Sequence, residues 1–177
     1  MASIETLSPD LVIVDVTLRG INGIELIKNI KSRWPALPML VLSMHDESLY
    51  AERALRAGAR GYVMKQAATE HLVMAIRRVL NGNIYVSEVM SARMMQRVLE
   101  GRPSSDNRSA VDLLSDRELE VLQLIGQGHG TRQIAEELHL SIKTIESHRA
   151  HIKEKLNIST APEMVRFAVN WVSQGAQ

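Results

Sequence analysis

The chain contains no cysteine, which excludes a disulfide framework and a thiolate metal site. It also lacks an apolar run near the ~20 residues a membrane span needs, and no basic-apolar leader opens it. A cytoplasmic protein without a membrane partner is therefore expected. No glycine-rich phosphate loop follows a strand-like run, and no Ser-His-Asp or metal constellation is present, which argues against an enzyme or a nucleotide binder. Charge of one sign is missing too. The formal net charge of +1 neither supports nor excludes a nucleic-acid partner.

The most informative segment present is 114–160. Apolar residues recur at helical spacing at Leu119, Val121, Leu122 and Ile125, then at Ile134, Ala135 and Leu138. Gly126, Gly128 and Gly130 separate the two runs. Ser141 stands where an N-cap opens a third helix, along which Ile145, Ile152 and Leu156 share one face. Lys143, Thr144, Glu146, Ser147, Arg149 and Ala150 are left mostly outward. A compact helical domain whose third helix shows a small, polar and basic face suits helix-turn-helix reading of a major groove. Periodicity alone is satisfied equally well by an ordinary amphipathic helix with a solvated face.

From Asp106 onward eight Lys/Arg stand against ten Asp/Glu, so this half is slightly acidic. The acids gather early (Asp116, Glu118, Glu120, Glu136, Glu137), while Lys143, Arg149, Lys153 and Lys155 cluster on the last of the three helices. Modest affinity per domain, and hence dimeric binding, is expected.

The residues add specificity that spacing lacks. Leu114, Ser115, Arg117 and Glu118, then Leu124 and Gly128, then Ile134, Ala135 and Leu138 follow the order of the LuxR-type DNA-binding domain. Ser141, Lys143, Thr144, Ile145, His148, Ile152, Lys155 and Leu156 complete the pattern, and the segment resembles that domain along most of the C-terminal third. The resemblance implies an all-α, four-helix domain that binds double-stranded promoter DNA. It puts Glu146, Ser147 and Ala150 at base edges, with Lys143, Thr144, Arg149 and Lys155 at phosphates. His148 is expected to be half-buried support and His151 a phosphate neighbour when protonated, since no third ligand joins them as a metal pair. A final amphipathic run, with Met164, Val165, Ala168, Val169 and Val172 near one face, is core and, by the resemblance, a homodimer contact.

Before residue 114 the pattern changes. Runs at 11–16, 39–44 and 61–65 read as strands buried on both faces, alternating with helical stretches at 23–34, 47–57 and 69–80. This predicts a doubly wound α/β domain. A further helix is expected at 86–100 and a polar linker at 101–111. The expected division is a receiver-like part at 1–84, a helix and linker at 85–110, and the DNA-binding domain at 111–177.

Open α/β sheets place chemistry at the carboxyl ends of strands. Three strand ends carry Asp15, Ser43 and Lys65, a carboxylate, a hydroxyl and an ammonium suited to phosphoryl chemistry. Residues 10–15 (DLVIVD), Gly23, Ser43, the GARGY turn and Lys65 resemble the receiver domain of NarL/FixJ-type response regulators, of CheY/flavodoxin-like fold. The resemblance makes Asp15 the acceptor of a phosphoryl group from a sensor histidine kinase. Ser43 becomes the hydroxyl switch, Lys65 the phosphate-contacting lysine, and Tyr62 the aromatic that follows the switch. The whole chain then reads as a two-component transcriptional regulator, not an enzyme.

The resemblance is incomplete. A receiver of this type opens with a strand ending in an acidic pair, and roughly 40 residues of a typical domain have no counterpart before Asp15. Mg²⁺ is expected for phosphorylation, yet its acidic pair is missing and Asp15 alone leaves the site incomplete. Strand 11–16 would become an edge of the 2-1-3-4-5 sheet. Either the chain is part of a longer regulator, or it is a degenerate, phosphorylation-independent regulator that docks other receivers through that edge. The first is favoured because the acceptor, switch and lysine all remain. Arg19, where the family usually has proline, implies a local loop change.

Overall fold

The computed structural model describes residues 2–18, 21–67, 69–99 and 110–175. Arg19 and nearly all of the expected linker lie outside them. Two compact units emerge, Met1–Arg97 and Val98–Gln177.

The first unit is built on three parallel strands in the order β1-β4-β5: β1 (Val12–Val14), β4 (Met39–Ser43) and β5 (Gly61–Met64). The register sets Val14 beside Val41 and Val41 beside Tyr62. Parallel neighbours need crossovers, and α2 (Gly23–Arg33) and α3 (Glu47–Ala57) supply them. Both helices start at a side-chain cap. Asn22 accepts from the Ile24 N–H and Asp46 from the Ser48 N–H, each at 2.8 Å. Gly58 ends α3 at φ 117, a left-handed cap that suits glycine.

A third helix, α4 (Thr69–Leu80), buries Ala75 and Val79 against Leu40 and Val63 of the sheet, flanked by Leu72 and Ile76. Ile24, Ile27 and Ile30 of α2 and Tyr50, Ala51 and Ala54 of α3 are buried as well, together with Val14, Met39 and Val41 of the strands. Each large apolar side chain so buried contributes ~1.5–3 kcal/mol.

Three features depart from the sequence reading. Ile13 is 44% exposed, so β1 is not buried on both faces: it is the sheet's outer strand and α4 leaves part of it open. After β1 the chain folds into a small antiparallel hairpin of β2 (Thr17–Leu18) and β3 (Ile21–Asn22), which no hydrophobic alternation foretold. Past α4, the Tyr85 backbone pairs alongside β5, its carbonyl accepting from the Tyr62 N–H at 2.9 Å, and so lines the opposite edge. The short α1 (Ala2–Leu7) precedes β1, and α5 (Glu88–Leu99) follows Ser87, whose N–H donates to Glu47 at 2.8 Å.

The second unit is helical. A 3₁₀ turn, Ala110–Leu113, lies where the expected linker ends. It leads into α6 (Asp116–Gly126), α7 (Thr131–Glu137), α8 (Ile142–Lys155) and α9 (Ala161–Gly175). The α6 helix is central: Leu119, Val121, Leu122, Leu124 and Ile125 are buried, together with Ile134, Ile145, Ile152, Met164 and Ala168 of the other three. Its last residue, Gly126, lets two backbones meet, for a β-carbon there would stand 2.5 Å from the Ala168 carbonyl oxygen. The apolar face expected of the last helix divides in two. Met164 and Ala168 are buried, whereas Val165 and Val169 are each 41% exposed.

Candidate functional sites

In the first unit the three strand ends converge as their parallel order requires. Lys65 Nζ donates to Asp15 Oδ2 at 2.5 Å, across 50 residues of sequence. Both side chains are partly open to solvent. Ser43 is fully buried, and its hydroxyl accepts from the His45 N–H at 3.1 Å. Tyr62 points inward, donating to the His45 carbonyl at 2.9 Å, and the His45 ring stacks on Tyr50. Burial pushes the Tyr62 phenol well above its ordinary range, against a smaller opposing effect of the Ser43 hydroxyl, so it stays a donor. The segment after Ser43 is thus held from both sides, by the Ser43 hydroxyl and by the Tyr62 phenol.

Gly23 explains how β1 ends so close to a helix. Its N–H donates to the Val16 carbonyl at 2.8 Å, and a β-carbon there would stand 2.1 Å from the Asp15 carbonyl oxygen.

Receiver domains typically use Mg²⁺ for phosphorylation. Among the described residues no group of three His, Asp or Glu side chains gathers as a cation site, and the Asp15 carboxylate faces Lys65. This donor set does not fit a hard cation that needs several oxygen ligands.

In the second unit Ser141 caps α8 by accepting from the Thr144 N–H at 3.0 Å, and the two hydroxyls meet at 2.7 Å. Lys143, Glu146, Ser147 and Ala150 are exposed at helical spacing, forming one stripe. Arg149 lies off that stripe. It is half-buried on the side of Ile145 and Ile152, and burial lowers its pKa more than Glu146 raises it. Lys155 does not project freely either: its ammonium donates to Glu118 Oε2 at 2.7 Å.

Glu118 and Glu120, two of the acids that gather early in this half, are 4% and 2% exposed. Glu118 closes a capping box with Ser115 at the start of α6, and its Oε1 stands 3.7 Å from His151 Nδ1. Burial would raise its pKa, but hydrogen bonds from Lys155 and Ser115 outweigh that and hold it below the usual carboxylate range. Arg117 binds Glu120 at 2.7 Å and the Leu138 carbonyl at the end of α7 at 3.1 Å. The S-x-x-E spacing of Ser115 and Glu118 was a signal for the box; nothing local signalled the burial.

Residues 1–77 match the response regulator receiver domain, and residues 112–168 match the bacterial regulatory proteins of the luxR family. The oxygen regulatory protein NreC of Staphylococcus carnosus is 36% identical over 164 residues, covering 91% of this chain and 76% of that protein. RcsB from Salmonella enterica serovar Typhimurium, solved bound to promoter rprA with the phosphomimetic BeF3-, aligns over 95% of this chain and 79% of its own, at TM-score 0.55 and 26% identity. A LuxR-family two-component response regulator from Aurantimonas is 33% identical over 55% of this chain and 70% of its own, at TM-score 0.51. The chain therefore belongs to the two-component response regulators that join a receiver domain to a LuxR-type helix-turn-helix domain and regulate transcription. Among the described residues no helix is long and apolar enough to cross a membrane.

Proposed function

We propose that this chain binds promoter duplexes through α8, as a homodimer, under the control of phosphorylation at Asp15 by a sensor histidine kinase. The observation that carries the control half is the Lys65–Asp15 ion pair beside the buried Ser43 hydroxyl. In the transfer, an Asp15 carboxylate oxygen forms the new bond to phosphorus as the P–N bond of a phosphohistidine breaks, and the departing imidazole takes up a proton. Lys65 offsets charge on the phosphoryl oxygens, and Ser43 turns its hydroxyl toward them. Release of the Ser43–His45 contact then frees the Tyr62 side, which couples the site to α3.

On the DNA side, Glu146, Ser147 and Ala150 read base edges and Lys143 contacts a phosphate. Thr144 serves the cap, Arg149 lies at the rim, and Lys155 acts through Glu118, not at a phosphate. The exposed pair Val165 and Val169 on α9 supplies the dimer contact. The chain divides into a receiver part at 1–84, a helix and linker at 85–110 and the DNA-binding domain at 111–177, and it works in the cytoplasm.

Phosphate-affinity gel mobility after incubation with acetyl phosphate and Mg²⁺ tests the acceptor. A shifted band lost in Asp15→Asn supports it, and a shift retained in that variant overturns it. A second reading rests on the outer position of β1 and the exposure of Ile13: a phosphorylation-independent regulator that pairs with other receivers through this edge. It predicts no shift at all, DNA binding unchanged in Asp15→Ala, and co-purification with a complete receiver.

A further inference from the structure

We infer that Glu118 is a positioning residue for DNA reading, tying α8 to the first turn of α6 through Lys155 and so fixing how the stripe of Glu146, Ser147 and Ala150 is presented. The inference rests on the reading of α8 as the groove helix.

Glu118 and Lys155 lie 37 residues apart and meet at 2.7 Å. The carboxylate is almost wholly inside, while the lysine side chain keeps 38% exposure. One end of the pair is therefore fixed by the core and the other is the last helical residue of α8. The same Oε2 accepts the Ser115 N–H at 2.7 Å, so the carboxylate cannot swing toward solvent without opening the α6 cap. A buried carboxylate left without its cation is strongly unfavourable, which makes the tether mutual.

The neighbouring residue acts in the same sense. Arg117, 15% exposed at its side chain, bonds the Leu138 carbonyl where α7 ends. Two consecutive side chains of one helical turn thus hold the end of α7 and the end of α8. The angle between the two helices of the helix-turn-helix is set from α6, not only by the apolar residues between them. The other groups facing Glu118 are His151 at 3.7 Å and the half-buried His148, both on α8.

A lysine used to bind phosphate and a lysine used to hold a helix differ in their response to salt. Replacing a phosphate contact weakens binding to every sequence and lowers the slope of log K against log salt by about 1. Replacing a tether leaves slope and random-sequence affinity alone and weakens only the sequence whose base edges need registration.

The test uses the full chain, a duplex enriched by the wild-type chain from a random pool, and a scrambled duplex. Lys155→Met keeps the aliphatic stem but strands the buried carboxylate, so it is paired with Glu118→Gln, which leaves no buried charge and frees the lysine only at a partly open site. The expected result is a loss on the order of tenfold on the enriched duplex, none on the scrambled one, an unchanged salt slope, and recovery in Lys155→Arg. Where Glu118→Gln folds, as judged by Trp171 fluorescence, the double variant binds no worse than either single one. Equal losses on both duplexes with a flatter slope, or no loss on either, overturn the inference. Glu146→Lys is assayed in parallel. If it leaves the preferred sequence unchanged, the groove assignment of α8 has failed, which is a separate result.

Discussion

Gly23 and Asp15 are in backbone contact: the helix that follows β1 begins where a side chain of any size would strike the Asp15 carbonyl. Gly23→Ala must push α2 off the strand end, at a cost of about 1–3 kcal/mol. Trp34 fluorescence in a Trp171→Phe background is expected to report a lower urea midpoint for the first unit. Trp171 fluorescence in a Trp34→Phe background reports an unchanged midpoint for the second. An unaltered Trp34 transition means that α2 yields without cost.

The stability of the second unit is expected to fall in acid in two stages. Burial lowers the pKa of His148, aided by Arg117 and His151 and opposed by the Glu118 charge. Glu118 is also held below its ordinary value, by Lys155 and Ser115 against the effect of burial. A folded-state pKa below the unfolded one gives stability that is present above the unfolded value and lost as pH falls through the folded one. Loss therefore begins below the ordinary histidine value of 6.5 and resumes below the ordinary glutamate value of 4.5. Urea midpoints followed by Trp171 between neutral pH and mild acid measure both stages. His148→Gln should remove the first stage; an identical acid profile in that variant refutes the assignment.

Glu146→Lys and Lys143→Ala should separate base reading from phosphate contact. The first is expected to change which duplex is enriched from a random pool. The second should weaken all duplexes alike and reduce the salt slope by about 1. Should both variants enrich and bind like the wild-type chain, the exposed stripe is not the reading surface.

Much of this architecture was legible in the sequence because its determinants are local. α3 and α4 show a 3.6-residue periodicity, α3 has Asp46 and Gly58 at its ends, and the strand runs before them are short and apolar. Asp15, Ser43 and Lys65, visible as polar strand ends, do converge at one end of the sheet. What escaped depends on residues far apart in the chain. Ile13 belongs to an apolar run, and its exposure follows from strand order, not from its neighbours. Glu118 looks like any helix-opening acid until Lys155 is folded against it, and Arg117 finds its carbonyl at Leu138. The left-handed residue closing α7, His139 at φ 52, is neither glycine nor asparagine and gave no turn signal.

The missing β-carbon at Gly126 has a mechanical meaning. A β-carbon there would meet both the Ala168 carbonyl oxygen and the Val172 side chain at 2.5 Å, so α9 stands directly against the main chain of α6. Close-packed interiors transmit strain instead of absorbing it. A load applied to the outward side of α9, where Val165 and Val169 stand open, is passed directly into α6. The first turn of that helix grips the ends of both helices of the helix-turn-helix. In the homodimer proposed through that pair, pressing two such units together would also adjust the stiffness with which each one holds its α8.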